Sequence, residues 1–76
     1  MIVYIVLIED RHSDPEVKVF STSQKAIREA KKIAKVGSNH NSSEIEERII
    51  TGWLYYATYS CENDCVRVEE KVIDAD

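Results

Sequence analysis

One long stretch of this sequence, Ser21 to Gly37, repeats its apolar residues at helical spacing, while most of the other apolar segments are shaped for strands. Ala26, Ile27, Ala30, Ile33 and Ala34 fall on one helix face. A β-sheet has two faces, and a single helix shields only one of them. The helix itself is well delimited. Ser21-Thr-Ser-Gln24 has the form of a capping box, in which Ser21 accepts from the backbone three residues on and Gln24 reaches back. Gly37 suits the left-handed position just past a helix end. The spacing predicts a helix over 22–36, about 22 Å long at 1.5 Å per residue.

The strands follow from composition and alternation. Ile2 to Ile8 is continuously apolar and rich in β-branched residues, which predicts an interior strand. It is too short to span a membrane, which takes roughly 20 residues. No basic region precedes it and no small-residue cleavage site follows, so it reads as a strand rather than a signal peptide. Residues 10–15, Asp-Arg-His-Ser-Asp-Pro, form a turn, and Glu16 to Phe20 alternates as a half-buried second strand. Trp53 to Ser60 and Val66 to Ile73 are the last two strands, joined by a tight turn at Glu62-Asn-Asp64. Residues 38–43 are polar loop. Residues 44–50 are open between a short helical turn, capped by Ser43 and Glu46, and an extension of the next strand with Gly52 as a bulge. The expectation is an α+β fold of ββαββ order: one domain over 1–76, with a four-stranded, mainly antiparallel sheet and one main helix on one face.

Two registers of the last hairpin bury opposite faces. A two-residue turn at Asn63-Asp64 sets Cys61 opposite Val66, Tyr59 opposite Val68 and Tyr55 opposite Val72. A three-residue loop sets Cys61 opposite Cys65 instead. The first separates apolar from polar more cleanly and is favoured. It collects Trp53, Tyr55, Ala57, Tyr59, Val66, Val68 and Val72 on one face, where the rings meet the small Ala26, Ala30 and Ala34. The uncovered face keeps Leu54, Tyr56, Ile73 and alternate residues of the first strand, Tyr4 among them. An uncovered apolar patch of this kind marks an interface.

Charge and chemistry narrow the function. Among 76 residues the formal net charge is −4, which disfavours phosphate binding. The cations Lys25, Arg28, Lys32 and Lys35 nevertheless form a stripe on the helix and are the candidates for phosphate contact. Their structural alternative is the solvated face that every amphipathic helix has. The acids Glu62, Asp64, Glu69 and Glu70, with Glu9, Asp10, Asp14 and Glu16, would serve a different purpose if they shared one surface. They would then imitate the spaced charges of a nucleic-acid backbone and attract a cationic groove. Catalysis has no support in the sequence, because neither histidine has a partner fixed by spacing and there is no glycine-rich phosphate loop. No cofactor is expected. Zinc would need His12 and His40 beside Cys61 and Cys65, whose spacing is not that of a zinc finger. Without an export signal the two cysteines are expected as free thiols in the cytoplasm.

In its compact α+β pattern and acidic balance the chain resembles the small accessory proteins of phages and mobile elements, anti-CRISPR and other anti-defence inhibitors among them. Glu16-Val-Lys-Val-Phe-Ser-Thr-Ser23 leading into a helix and Gly52-Trp-Leu-Tyr-Tyr-Ala57 carry that likeness, which contains no diagnostic motif. The resemblance implies a non-enzymatic phage protein that inhibits a bacterial defence nucleoprotein by binding it. It carries over no residue roles; the expected contacts come from the open sheet face, Tyr4, Leu54, Tyr56 and Ile73, with Glu62, Asp64, Glu69 and Glu70 steering association. The alternatives are a nucleic-acid-binding module that uses the basic helix, and a structural homodimer joined through the open sheet face.

Overall fold

The computed structural model describes residues 1–11 and 13–74. The strands are β1 (Ile2–Glu9), β2 (Glu16–Phe20), β3 (Glu46–Glu47), β4 (Tyr55–Thr58) and β5 (Cys65–Val72), with one helix, α1 (Ser23–Asn41), between β2 and β3. They form a five-stranded sheet in the order β2-β1-β5-β4-β3, every neighbouring pair antiparallel. The α+β class and the two hairpins agree with the sequence. The sheet has one strand more than the four expected, because residues 44–50 take neither proposed form. Glu46 and Glu47 pair with Thr58 and Ala57 as a short edge strand of their own.

Alternation along β1 decides which side is which. Val6 is fully buried and Ile8 nearly so, and Tyr4 packs against the same core. Cross-strand register adds Val68 opposite Val6, Val66 opposite Ile8 and Ala57 opposite Val66. Helix α1 enters from β2 at one edge and hands the chain to β3 at the other, so it crosses this side of the sheet. Ala26, Ala30 and Ala34, all fully buried, line its inner face, with Ile27 and Ile33 beside them. The small residues on the helix let the sheet come close, as the sequence suggests.

The helix runs past Gly37, which was expected to end it. A Cβ on Gly37 would lie 2.3 Å from a ring carbon of Tyr59, so this glycine is required by close approach rather than by a turn. Ser42, at φ 52, takes the left-handed capping role instead. At the other end Thr22 is the N-cap, its hydroxyl accepting from the Lys25 backbone at 3.3 Å.

The last hairpin adopts neither expected register. Tyr55 faces Val68 and Thr58 faces Cys65, with Tyr59 to Asp64 forming the loop. The shift from the favoured register is an even number of residues, so the division into faces survives for Tyr55, Ala57, Val66 and Val68. The longer loop has its own cause. Asp64 is only 2% exposed, and its carboxylate accepts from the Arg11 backbone at 3.0 Å and the Ser60 hydroxyl at 2.9 Å. Tyr59 donates its phenolic hydrogen to Asp10 at 2.9 Å. These bonds tie the β4–β5 loop to the end of β1, and Asn63 supplies the positive φ that the turn needs.

Candidate docking face

The side of the sheet away from α1 carries Val3, Ile5, Leu7 and Glu9 from β1, and Val17 and Val19 from β2. From β5 and β4 it carries Cys65, Arg67, Glu69, Lys71, Tyr56 and Thr58. Val17 and Val19 are 56% and 59% exposed. The helix therefore leaves an apolar surface uncovered, though much of it differs from the residues expected there.

Tyr56 is on this open side, as expected, and is half-buried. Leu54 is 46% exposed and stands at the rim, in a groove of about 510 Å³ shared with Ile27, Lys31, Ile49 and Trp53. Ile73 is also 46% exposed, just past β5, where its backbone N–H bonds to Met1. Tyr4 is a correction: it has the parity of Val6 and packs against the core on the covered side. Trp53 is another, in the opposite direction. The turn at Thr51-Gly52, closed by Trp53 N–H to Ile50, breaks the alternation before β4 begins. The Trp53 ring then lies against the Arg67 guanidinium, 4.7 Å from centroid to Cζ.

Arg67 organises the centre of the open face. It pairs with Glu9 on one side and stacks on Trp53 on the other. Its Nε is buried with no hydrogen-bond partner among the described residues. Cys65 lies within the same cluster at 4% exposure, and burial pushes its thiol pKa up, against the hydrogen bond from Tyr56. Burial likewise raises the Tyr56 phenol. Cys61 and Cys65 are free thiols, and their separation follows from Thr58, not Cys61, facing Cys65.

The expected acids do not form one surface. Asp64 is buried and fully engaged in the loop, so it is not available to a partner. Glu69 and Glu70 are successive residues of β5 and point to opposite faces. Glu62 is exposed and pairs with Arg11 at 2.5 Å. It does share a shallow depression of about 350 Å³ with Glu9 and Asp10, so the two ends of the hairpins gather acids that lie far apart in sequence. The depression adjoins Arg67 through Glu9, which makes the acidic end continuous with the aromatic centre.

Lys25, Arg28, Lys32 and Lys35 are all exposed along α1, on the opposite side of the molecule from Tyr56. No aromatic residue is interleaved with them; Lys31, the cation over the Tyr55 ring at 5.8 Å, lies outside the four. Glu29 interrupts the stripe and holds Lys18 of β2 at 2.8 Å. Of the residues considered for zinc, His12 lies outside the described residues. His40 is in the last turn of α1 rather than in a loop. Among the described residues no three of His, Cys, Asp and Glu gather as a metal site. No helix of the described residues is long and apolar enough to cross a membrane. No family model, curated protein or solved structure matches this chain.

Two features of the face were beyond sequence reasoning. Val17 and Val19 were read as half of an ordinary amphipathic strand, because nothing local says that the strand lies at an edge. The Arg67–Trp53 contact depends on a break in alternation at Gly52, at a φ of +95, which was read as a bulge at most.

Proposed function

We propose that the chain is a non-enzymatic protein-binding module, a phage-type inhibitor that occupies a bacterial defence nucleoprotein. Its contact surface is the β4–β5 half of the open sheet face. The observation that supports this most is the run from the depression lined by Glu9, Asp10, Arg11 and Glu62, through the Glu9–Arg67 pair, to Trp53 and Tyr56. Aromatic and arginine side chains are the residues that anchor interfaces, and flanking acids raise association rates with a cationic partner. Leu54 and Tyr56 act as anchors at one end and Glu62 steers from the other. A cytoplasmic setting accords with the free thiols.

The experiment is a target-cleavage assay with purified RNA-guided nucleases, in which the chain is added before DNA. The expected result is loss of DNA binding and cleavage for one class of nuclease. That inhibition should fall by about tenfold or more when Leu54 and Tyr56 are both replaced by alanine, the usual scale for losing an anchor. The inhibitor reading is excluded if all the nucleases cleave at their unperturbed rate. Full inhibition by the folded double variant would instead remove the Leu54–Tyr56 surface from the account.

A further inference from the structure

Strand β5 outruns one of its neighbours. β4 pairs with it only as far as Val68, opposite Tyr55, whereas β1 follows it to Val72, opposite Ile2. The stretch from Glu69 to Val72 is therefore paired on one side only. We propose that this free edge docks an extended, cationic segment of the partner protein, which joins the sheet as a further strand antiparallel to β5. The inference rests on the protein-binding reading above and says how the partner is held.

Alternation fixes which backbone groups are free. Ile73 N–H bonds to the Met1 carbonyl, and the Met1 amino group to the Ile73 carbonyl. Odd-numbered residues of β5 thus aim their backbone groups at β1, and even-numbered ones aim away from it. The Leu54 N–H, bonded to the Val68 carbonyl at 2.8 Å from the β4 side, agrees. Past Val68, Glu70 and Val72 aim N–H and C=O outward, and among the described residues no backbone bond meets them there. Strand addition uses such groups: main-chain bonds supply affinity and alternate side chains supply specificity.

The outer strands of the sheet are guarded against the same event. β3 is two residues long and both are glutamates. β2 follows Pro15 and turns Lys18 toward the helix, where Glu29 holds it. Short edge strands, proline and inward-pointing charge all oppose strand pairing.

Side chains at the free edge say what fits it. Ile2 and Val72 stand opposite each other, 48% and 68% exposed. A β-branched residue opposite Val72 would lengthen that apolar row. Glu69, Glu70 and Asp74 surround one cation, Lys71. A lysine or arginine opposite Glu70 therefore suits the edge, and a cationic partner is the one that the acids steer. A second copy does not suit it. An antiparallel pair that used both Glu70 and Val72 would set Lys71 against its own Lys71. One centred on Glu70 would oppose two glutamates, and one centred on Val72 would set Glu70 against Asp74 twice. Like charges directly opposite are destabilising.

Amide hydrogen exchange, with Glu70 and Val72 read by NMR after quenching, tests the edge with and without a partner. In the chain alone these two amides should exchange fast, while those of Glu69 and Lys71, bonded to β1, exchange slowly. In complex with the nuclease that the chain inhibits, exchange at Glu70 and Val72 should slow by at least about tenfold. Val72→Pro removes one outward N–H, and proline is tolerated at such an edge position. It should weaken inhibition by about tenfold, the scale of one lost hydrogen bond with its acceptor left buried. Glu70→Lys should weaken inhibition several-fold. Far-UV circular dichroism reports the fold of each variant. Slow exchange at Glu70 and Val72 in the chain alone overturns the proposal, as does fast exchange there in the complex. Full inhibition by a folded Val72→Pro chain overturns it too, and leaves the inhibitor reading standing. If Val72→Pro does not fold, full inhibition by Glu70→Lys counts against the edge in its place. No inhibition by the wild-type chain removes the inhibitor reading, and this docking mode with it.

Discussion

At the scale of single residues, the two cysteines give a direct reading of the last hairpin. Cys61 is exposed in the loop and Cys65 is buried, with its thiol pKa raised by that burial. The thiolate is the reactive form, so Cys65 is slow on both counts. A colorimetric thiol titration of the native chain should show one fast thiol, with the second appearing only in denaturant. Two equally fast thiols would mean that the β4–β5 register is wrong. Tyr59 makes a second prediction. Burial, and then its bond to Asp10, push its phenol pKa well above the ordinary value of 10.0. The unfolded chain releases that proton near pH 10 while the folded chain keeps it. Stability from this group is therefore complete below pH 10 and declines as pH rises above it. Melting temperatures across that range should fall for the wild-type chain. Tyr59→Phe should melt lower at neutral pH, by the loss of about 1 kcal/mol for one hydrogen bond, yet show a shallower alkaline decline. An equal slope in both chains would deny Tyr59 that part.

At the scale of elements, α1 and the two end loops carry the structural claims. A glycine inside a helix ordinarily gains about 0.5–1 kcal/mol on replacement by alanine. At Gly37 the added methyl would meet the Tyr59 ring, and overpacking of this kind costs about 1–3 kcal/mol. Urea denaturation should show Gly37→Ala to be destabilised, and the same substitution to be harmless or stabilising beside Tyr59→Leu. A gain in the wild-type background would contradict the close approach. Asp64→Ala should cost about 1–3 kcal/mol, because it strips the acceptors from Arg11 N–H and Ser60. These elements also show what was readable in advance. β1, β2 and the inner stripe of α1 could be read from the sequence because period and burial are set locally. The helix end was misread because a glycine in αL and a glycine beneath a ring look alike in sequence. The hairpin register depended on Asp64 bonding to Arg11, a contact 53 residues away that no local pattern shows. The division of faces survived because alternation needs only parity, not the identity of the partner.

At the scale of the whole molecule, one helix against five strands leaves the protein with a side it does not bury. Sequence pattern anticipated that asymmetry, and Tyr56 with it. It did not anticipate that Tyr4 would be turned inward, that Trp53 would be turned outward onto Arg67, or that Val17 and Val19 would both stand more than half exposed. Each of those depends on where a strand sits in the sheet or where alternation breaks. The basic stripe on α1 lies on the far side, within an acidic molecule. Gel-shift titrations with mixed DNA and RNA should therefore show no salt-sensitive complex, and one that disappears on reversing Lys25, Arg28, Lys32 and Lys35 would restore the nucleic-acid reading. The claim on which the functional account rests is that the uncovered sheet face is a contact surface. Methyl and aromatic NMR with a soluble paramagnetic probe, recorded for the chain alone and in complex with the nuclease that it inhibits, tests it most directly. The account predicts that the Leu54 methyls and the Tyr56 ring become shielded in the complex, while Val36, exposed on the helix, stays equally accessible. Unchanged broadening of Leu54 and Tyr56 in the complex would contradict it.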